Sequence, residues 1–336
     1  MIMITSMMHF GKGVRAVNDI GMKDALDLFI SRGSASWSPA TRTYYLRNVN
    51  YFMLYLAGRF GRDPGSIMLS DLPQDILIDY AVSLRAKDKF SGHPLRGSMG
   101  VSGSIKSNTV NTYMRATKAF MNFLYQSGYT SVRFSEGLRL PKPDNDQVVP
   151  LLADEVRRID AVFDKEVPND LRNLCIIHLM LDAGLRSSEV CSLKSGDIIF
   201  DSDTVVINRS KGDKSRVVIL APPLKGLMQQ YFDMSGVTGP LFRKQTDNKP
   251  INHAVMCSLF QRVIRNTGIS RVHPHLLRHT FATSYILGGG DLETLRILMG
   301  HSDYSVTRVY LHLATQYRIL GADIYRLDPV FFKSGY

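Results

Sequence analysis

Apolar positions along this chain recur mostly at helical spacing. Leu46, Val49, Met53 and Leu56 fall three or four residues apart, which places them on one helix face. Ser38-Pro39 supplies the start, an N-cap followed by proline at the first helical position, and Gly58 is the expected stop. A second helix is predicted from Pro73 to about Lys87. A third begins near Ser107-Asn108, carries Val110, Tyr113, Phe120 and Leu124, and ends at Gly128. Lys106, Arg115 and Lys118 lie on its other faces, where a solvated face and a nucleic-acid contact are both open readings. Between the second and third helices runs FSGHPLRGSMGVSGSIKS, residues 90–107, rich in Gly and Ser. A connection of this length is generally functional or mobile, and Arg96 and Lys106 make it a candidate for contact with a phosphate backbone.

LRLPKPDNDQVVP, residues 138–150, has three prolines and no apolar period, and reads as a linker. Beyond it helices are predicted over 152–163 and 170–183. Thr204 to Ile207 and Arg216 to Leu220 then read as two β-strands around the polar turn NRSKGDKS, and after Pro223 the helical pattern resumes to the end. The expected fold class is mainly α with a small antiparallel β-sheet in the second of two domains. Its parts are an N-terminal extension (1–20), a helical domain (21–137), the linker (138–150), a second domain (151–325) and a tail (326–336).

Composition agrees with that picture. At 336 residues the chain can bury two cores, and 44% hydrophobic with 21% charged residues is the balance of a soluble globular protein. No apolar run approaches the ~18 residues of a membrane span. The start, MIMITSMMHFGKG, has no basic segment ahead of its apolar stretch, so no signal peptide is expected. Cys175, Cys191 and Cys257 are odd in number, widely spaced and set in apolar helical contexts; they read as reduced core thiols of a cytoplasmic protein. No CxxC or HExxH occurs, so no metal site is expected. A net charge of +11 and a pI near 9.5 point to a polyanionic partner. The first half carries the larger excess, 18 Lys and Arg against 11 Asp and Glu through Pro150, compared with 23 against 19 beyond it.

The densest chemistry lies in HPHLLRHTFATSY, residues 273–285. On a helix started by Pro274, His275, Arg278 and His279 share one face, opposite Leu277, Phe281 and Tyr285. A guanidinium fork beside imidazoles suits a phosphate. Zinc would want further ligands and no fixed cation beside it, while a solvated helix face is the bland alternative. LDAGLRSSEVCSL, residues 181–193, sets Arg186 between a helix-stopping Gly184 and a new helix. Ser187 is a candidate cap there, and Glu189 falls in the first turn. Lys211 and Lys214 flank Gly212 in the turn between the strands, His301 follows a glycine, and Tyr310 comes nine residues later. Each is unremarkable alone. Together they make a metal-free kit for phosphoryl transfer. A tyrosine hydroxyl with pKa ~10 can attack once it loses its proton. Fixed cations stabilise the five-coordinate phosphorus, and a lysine can protonate the departing oxygen.

The chain resembles the tyrosine recombinase (phage-integrase-like) family from about residue 20 to residue 325. The resemblance is carried in order by AGLRxxE at 183–189, SKGDKSR at 210–216, HPHLLRHTFAT at 273–283, LMGHS at 298–302 and Tyr310. It implies a helical core-binding domain and a catalytic domain closing round double-stranded DNA, with Arg186 and Arg278 clamping the scissile phosphate. His275 and His301 would donate to its non-bridging oxygens, His275 being also a possible base. Lys211, rather than Lys214, would be the general acid, and Tyr310 the nucleophile that leaves a 3′-phosphotyrosyl link. Glu189 and Asp197 would support Arg186, and His279 would be a structural neighbour. Lys106, Arg115, Lys118, Lys214 and Arg96 would lie against the DNA.

No cofactor is implied. The implied partners are a homo-tetramer on two DNA sites, a tail carrying Phe331 and Phe332 packed on a neighbouring protomer or in cis, and accessory DNA-bending or directionality proteins. Met299 stands where the family more often has Leu, Ser210 where it often has Gly, and the 90–107 loop is longer than in compact dimer resolvases. With no room expected for an arm-site domain before residue 20, the reading is a simple two-domain recombinase serving integration or excision of a mobile element. A chromosome or plasmid dimer resolvase is the alternative, with a type IB topoisomerase and a non-enzymatic DNA-binding relative behind it.

Overall fold

A computed structural model describes residues 19–87, 104–142, 148–208, 215–301 and 303–329. Lys211, Lys214, Arg96, Phe331 and Phe332 lie outside these residues, as does most of the 90–107 segment. The chain forms two compact units, residues 1–146 and 147–336.

The first unit is helical: α1 (Met22–Gly33), α2 (Pro39–Phe60), α3 (Ile76–Ala86) and α4 (Ser107–Gln126). Helix α1 had no counterpart in the expected elements, although Met22, Ala25, Leu26, Phe29 and Ile30 recur at helical spacing and are all buried. Helix α2 starts as expected, with Ser38 Oγ accepting from the Thr41 N–H at 3.1 Å. It runs through Gly58 and stops instead at Gly61, whose φ of 64° gives the left-handed turn that ends a helix. Helix α3 begins three residues after Pro73, because Pro73 to Asp75 form a preceding turn. Phe29, Phe52, Tyr80, Met114 and Phe120 meet in the core of this unit. On α4, Arg115 is exposed and Lys118 half-buried, while Lys106 is exposed at the position before the helix.

The second unit contains α5 (Ala153–Asp160), α6 (Pro168–Leu181), α7 (Ser187–Ser192), β1 (Ile198–Ile199), β2 (Thr204–Ile207), β3 (Arg216–Ile219) and α8 (Pro222–Ser235). It continues with α9 (His253–Thr267), α10 (Pro274–Leu287), α11 (Leu292–Met299) and α12 (Tyr304–Leu320). The antiparallel sheet has the order β1-β2-β3, with Ile198 opposite Val205 and Ile207 opposite Arg216. The two-residue strand β1 is an addition to the expected pair. In β3 the alternation turns Arg216 and Val218 inward and Val217 outward. Helix α6 is buried along nearly its whole length, between α8 and α10. Of the three cysteines only Cys175 is a core thiol; Cys191 is half-buried and Cys257 is exposed on α9, whose other face carries the apolar stripe. No helix among the described residues is long and apolar enough to cross a membrane.

The C-terminal end of α6 is pinned by a buried polar cluster. His178 Nδ1 lies 2.7 Å from Asp182 and Nε2 lies 3.0 Å from Asp160, while the Tyr325 hydroxyl donates to Asp182 at 2.8 Å. Burial alone would push the imidazole pKa down; Asp182 and Asp160 outweigh it and raise it to about 10. This raised value makes the stability it contributes complete below the ordinary histidine pKa of 6.5. That stability is lost as pH climbs through about 10. Replacing His178→Asn is expected to lower the melting temperature at pH 6, with the gap from wild type closing towards pH 10. Melting curves across that range check it, and a gap independent of pH would contradict the protonated state.

Candidate active site

Asp182 ends α6, and two residues later the chain turns sharply. Gly184 has φ of 66°, and a Cβ there would sit 2.5 Å from the Phe281 ring, so both backbone and packing demand glycine. The turn delivers Arg186 to the position just before α7. Ser187, a candidate cap from the sequence, is the first residue of the helix instead. The capping contact comes from Glu189, whose Oε2 accepts the Arg186 backbone N–H at 2.8 Å.

Glu189 does more than cap. Its Oε1 accepts from Arg186 Nη1 at 2.9 Å, and its two oxygens accept from Arg216 Nη1 and Nη2, each at 2.7 Å. Burial would raise the pKa of this carboxyl, but the two arginines dominate and hold it at about 2. Arg216 was not singled out in the sequence. Its signal was a charged residue on the inward phase of a short apolar strand, where only a buried counter-charge makes it tolerable.

The three arginines of the site share a second anchor. A helix leaves its last carbonyls without intrahelical donors and carries partial negative charge there. Helix α11 ends at Gly300, in the left-handed conformation with φ of 57°. Arg216 Nε donates to Leu298 O at 2.6 Å, Arg278 Nη2 donates to Met299 O, and Arg186 Nη2 donates to Gly300 O at 3.1 Å. Successive carbonyls thus hold three guanidinia that come from β3, α10 and the turn before α7. Arg278 Nη1 also donates to Gly184 O, joining the glycine turn to the same cluster.

Imidazoles surround these cations. His301 Nε2 lies 3.3 Å from Arg278 Nη2, and its Nδ1 lies 2.9 Å from Thr307 Oγ1 on α12. Burial, then Arg278, Arg186 and Arg216, push the His301 pKa down to about 4. His275, the second residue of α10, is exposed, its pKa lowered by desolvation and then by His273, Arg278 and Arg186. Tyr310, on α12, is only 4% exposed, and its Oη lies 2.8 Å from His279 Nδ1. Burial raises its pKa to about 12 despite the pull of Arg278 and Arg186. His279, expected only as a structural neighbour, is therefore in direct contact with the tyrosine hydroxyl.

Asp197 departs from expectation. It accepts from the Lys194 backbone N–H at 2.8 Å and from Asn208 Nδ2 at 3.0 Å, so it fastens the root of the β2–β3 hairpin. The short turn that carries it faces β2, and support of Arg186 falls to Glu189 alone of the two. Among the described residues no three His, Cys, Asp or Glu side chains cluster as a metal site requires. The groups able to hold a ligand here are guanidinia and imidazoles, three arginines against one carboxylate. That excess of positive charge suits an oxyanion.

The Glu189–Arg216 pair is buried on both sides, with side chains 10% and 4% exposed. Glu189→Ala is expected to cost about 3–5 kcal/mol of unfolding free energy, because it strands Arg216 without its counter-charge. The double change Glu189→Leu with Arg216→Met should regain much of the loss. Urea titration reads both; an unaltered midpoint in the single variant would contradict the anchoring role.

Comparison with known proteins identifies the family and the fold. Residues 150–317 match the phage integrase family. A tyrosine recombinase of Thermosipho africanus is 30% identical over 214 residues, covering 63% of this chain and 74% of that protein. The tyrosine recombinase XerC of Brucella melitensis is 28% identical over 294 residues, covering 83% and 86%. Among solved structures, the fold matches the Tn1549 transposon integrase in complex with a circular intermediate DNA, with a TM-score of 0.64 at 17% identity over 90% of this chain and 99% of that one. It also matches a lambda integrase dimer bound to a core site, with a TM-score of 0.62 at 16% identity over 86% and 94%. With its arginines gathered on the end of α11 and a tyrosine on the helix that follows, the chain belongs to the phage integrase family, the tyrosine recombinases.

Proposed function

We propose that this chain is a site-specific recombinase that cuts and rejoins double-stranded DNA through a 3′-phosphotyrosyl link to Tyr310. The observation that carries the reading is the attachment of Arg186 and Arg278 to adjacent carbonyls of α11, with His301 against Arg278. Two guanidinia fixed in this way are pre-organised for a phosphodiester and need no rearrangement as its charge grows in the five-coordinate state. His275 and His301 donate to the non-bridging oxygens. Both have pKa values lowered by burial and then by neighbouring cations, and a bound phosphate offsets those cations, which favours the protonated, donating form of each imidazole.

Tyr310 Oη then forms the bond to phosphorus, and the bond to the 5′ oxygen breaks. Lys211 supplies the proton for that oxygen. Rejoining reverses the step with a 5′-hydroxyl as the attacking group, so the energy of the broken bond is retained in the phosphotyrosine. Arg96, Lys106, Arg115, Lys118 and Lys214 contact the DNA backbone, and four protomers assemble on two sites. Glu189 keeps Arg186 in place. The long Gly- and Ser-rich segment 90–107 supports a role in integration or excision of a mobile element over dimer resolution.

Two experiments test this. SDS-resistant protein–DNA adducts are expected when wild-type protein meets DNA flanking its native gene, and none with Tyr310→Phe, which should bind DNA equally. An adduct in the variant would overturn the nucleophile assignment. Sequencing the trapped end separates the roles: an element junction supports integration or excision, whereas a fixed chromosomal or plasmid site supports dimer resolution. Lys211→Ala should slow cleavage of an ordinary 5′-oxygen ester by about 10²–10⁴ and leave a 5′-sulfur ester, which departs without a proton, nearly unaffected. Equal slowing of both would move the acid to another residue.

A further inference from the structure

A buried tyrosine with a pKa near 12 needs a specific acceptor for its proton before it can attack. Among the described residues, His279 is the imidazole within hydrogen-bond distance of Tyr310 Oη. The two rings lie 5.4 Å apart at an interplanar angle of 48°, with Oη and Nδ1 at 2.8 Å. His275, which the family resemblance offers as a possible base, stands one turn earlier on α10 and is exposed. Both partners of the close pair are held firmly. Helices α10 and α12 pack along each other, and His279 follows Arg278, whose guanidinium is tied to the Gly184 and Met299 carbonyls.

We propose that His279 takes the proton of Tyr310 as the phosphotyrosyl bond forms and returns it when that bond is reversed. The inference rests on Tyr310 being the nucleophile. In cleavage the Oη–H bond breaks and the proton passes to Nδ1, giving an imidazolium. The oxygen's electron pair forms the bond to phosphorus; the bond to the 5′ oxygen breaks, and that oxygen takes its proton from Lys211. In rejoining, the 5′-hydroxyl attacks, the P–Oη bond breaks, and Nδ1–H reprotonates Tyr310. The step requires neutral His279 with its proton on Nε2, so that Nδ1 accepts from the tyrosine.

Electrostatics makes the acceptor conditional on substrate. The groups facing His279 are His273, His275 and Arg278 from its own segment, His301 from the end of α11 and Tyr310 from α12. Burial and then His275, His273 and Arg278 hold its pKa at about 4, which keeps the imidazole neutral but weakly basic. A phosphodiester seated on Arg186 and Arg278 offsets that positive field, raising the basicity of His279 at the moment the proton must move. Without DNA, burial leaves Tyr310 protonated and hydrogen-bonded, a poor nucleophile for water-borne esters.

The test is single-turnover adduct formation from pH 5 to 9 on a duplex carrying the mapped cleavage site. Wild type is compared with Tyr310→Phe, His279→Asn and His275→Asn. The asparagine amide can still accept a hydrogen bond from Tyr310 but takes no proton. His279→Asn is expected to bind DNA normally, form adduct about 10²–10⁴ times more slowly and lose the acid limb of the pH profile, which His275→Asn retains. Wild-type rates in His279→Asn, slowed rates with the limb intact, or loss of the limb in His275→Asn instead would each overturn the proposal. Should His279→Asn fail to bind DNA, His279→Ala with added imidazole replaces it. Recovery in proportion to free base supports the role, and no recovery overturns it. An adduct persisting in Tyr310→Phe would instead refute the nucleophile assignment on which the inference stands.

Discussion

The end of a helix leaves carbonyls that need donors, and in this protein α11 meets that need with three arginines drawn from distant parts of the chain. Leu298, Met299 and Gly300 each accept from a different guanidinium, belonging to Arg216, Arg278 and Arg186. Placing three like charges together is unfavourable, and the pKa of Arg278 is pushed down to about 9 by burial and then by Arg186. Glu189 makes the arrangement tenable by bridging Arg186 and Arg216 with both oxygens. The helix terminus contributes the remaining negative potential. Neither anchor suffices alone: the carbonyls set position, and the carboxylate offsets charge.

This constraint accounts for features that would otherwise look unrelated. Gly184 must be glycine because its neighbour Phe281 leaves no room for a Cβ, and its carbonyl serves Arg278. Gly300 must turn left-handed so that α11 stops with its carbonyls facing the arginines. Thr307 and Arg278 bracket His301, which links the first turn of α12 to the cluster. Tyr310 lies one turn further along that helix, so the tyrosine is placed by the elements that hold the cations.

Much of this was legible in the sequence. The glycine before Arg186, the shared face of His275, Arg278 and His279, and the Gly300-His301 pair are local patterns whose residues lie within a turn or two of one another. Arg216 was legible in principle, as the inward residue of a strand reading RVVI, but a charge in a strand is more often assigned outward. What the sequence could not show were contacts that exist only once helices pack. The pairing of His279 with Tyr310 spans 31 residues. The α11 carbonyls carry no side-chain signature at all. Asp197 was expected to support Arg186 only on the family resemblance, yet the turn that carries it faces the hairpin instead. Helix ends shifted where one glycine could substitute for another, as Gly58 and Gly61 do in α2.

The central claim is that the covalent bond to DNA is made by the tyrosine beside this arginine cluster, and locating the bond directly tests it. Nuclease and trypsin digestion of the trapped adduct, followed by tandem mass spectrometry, isolates the peptide from Val309 to Arg318, which contains both Tyr310 and Tyr317. The account predicts a residual nucleotide phosphate on Tyr310. Its attachment to Tyr317, or to any residue outside that peptide, would contradict it.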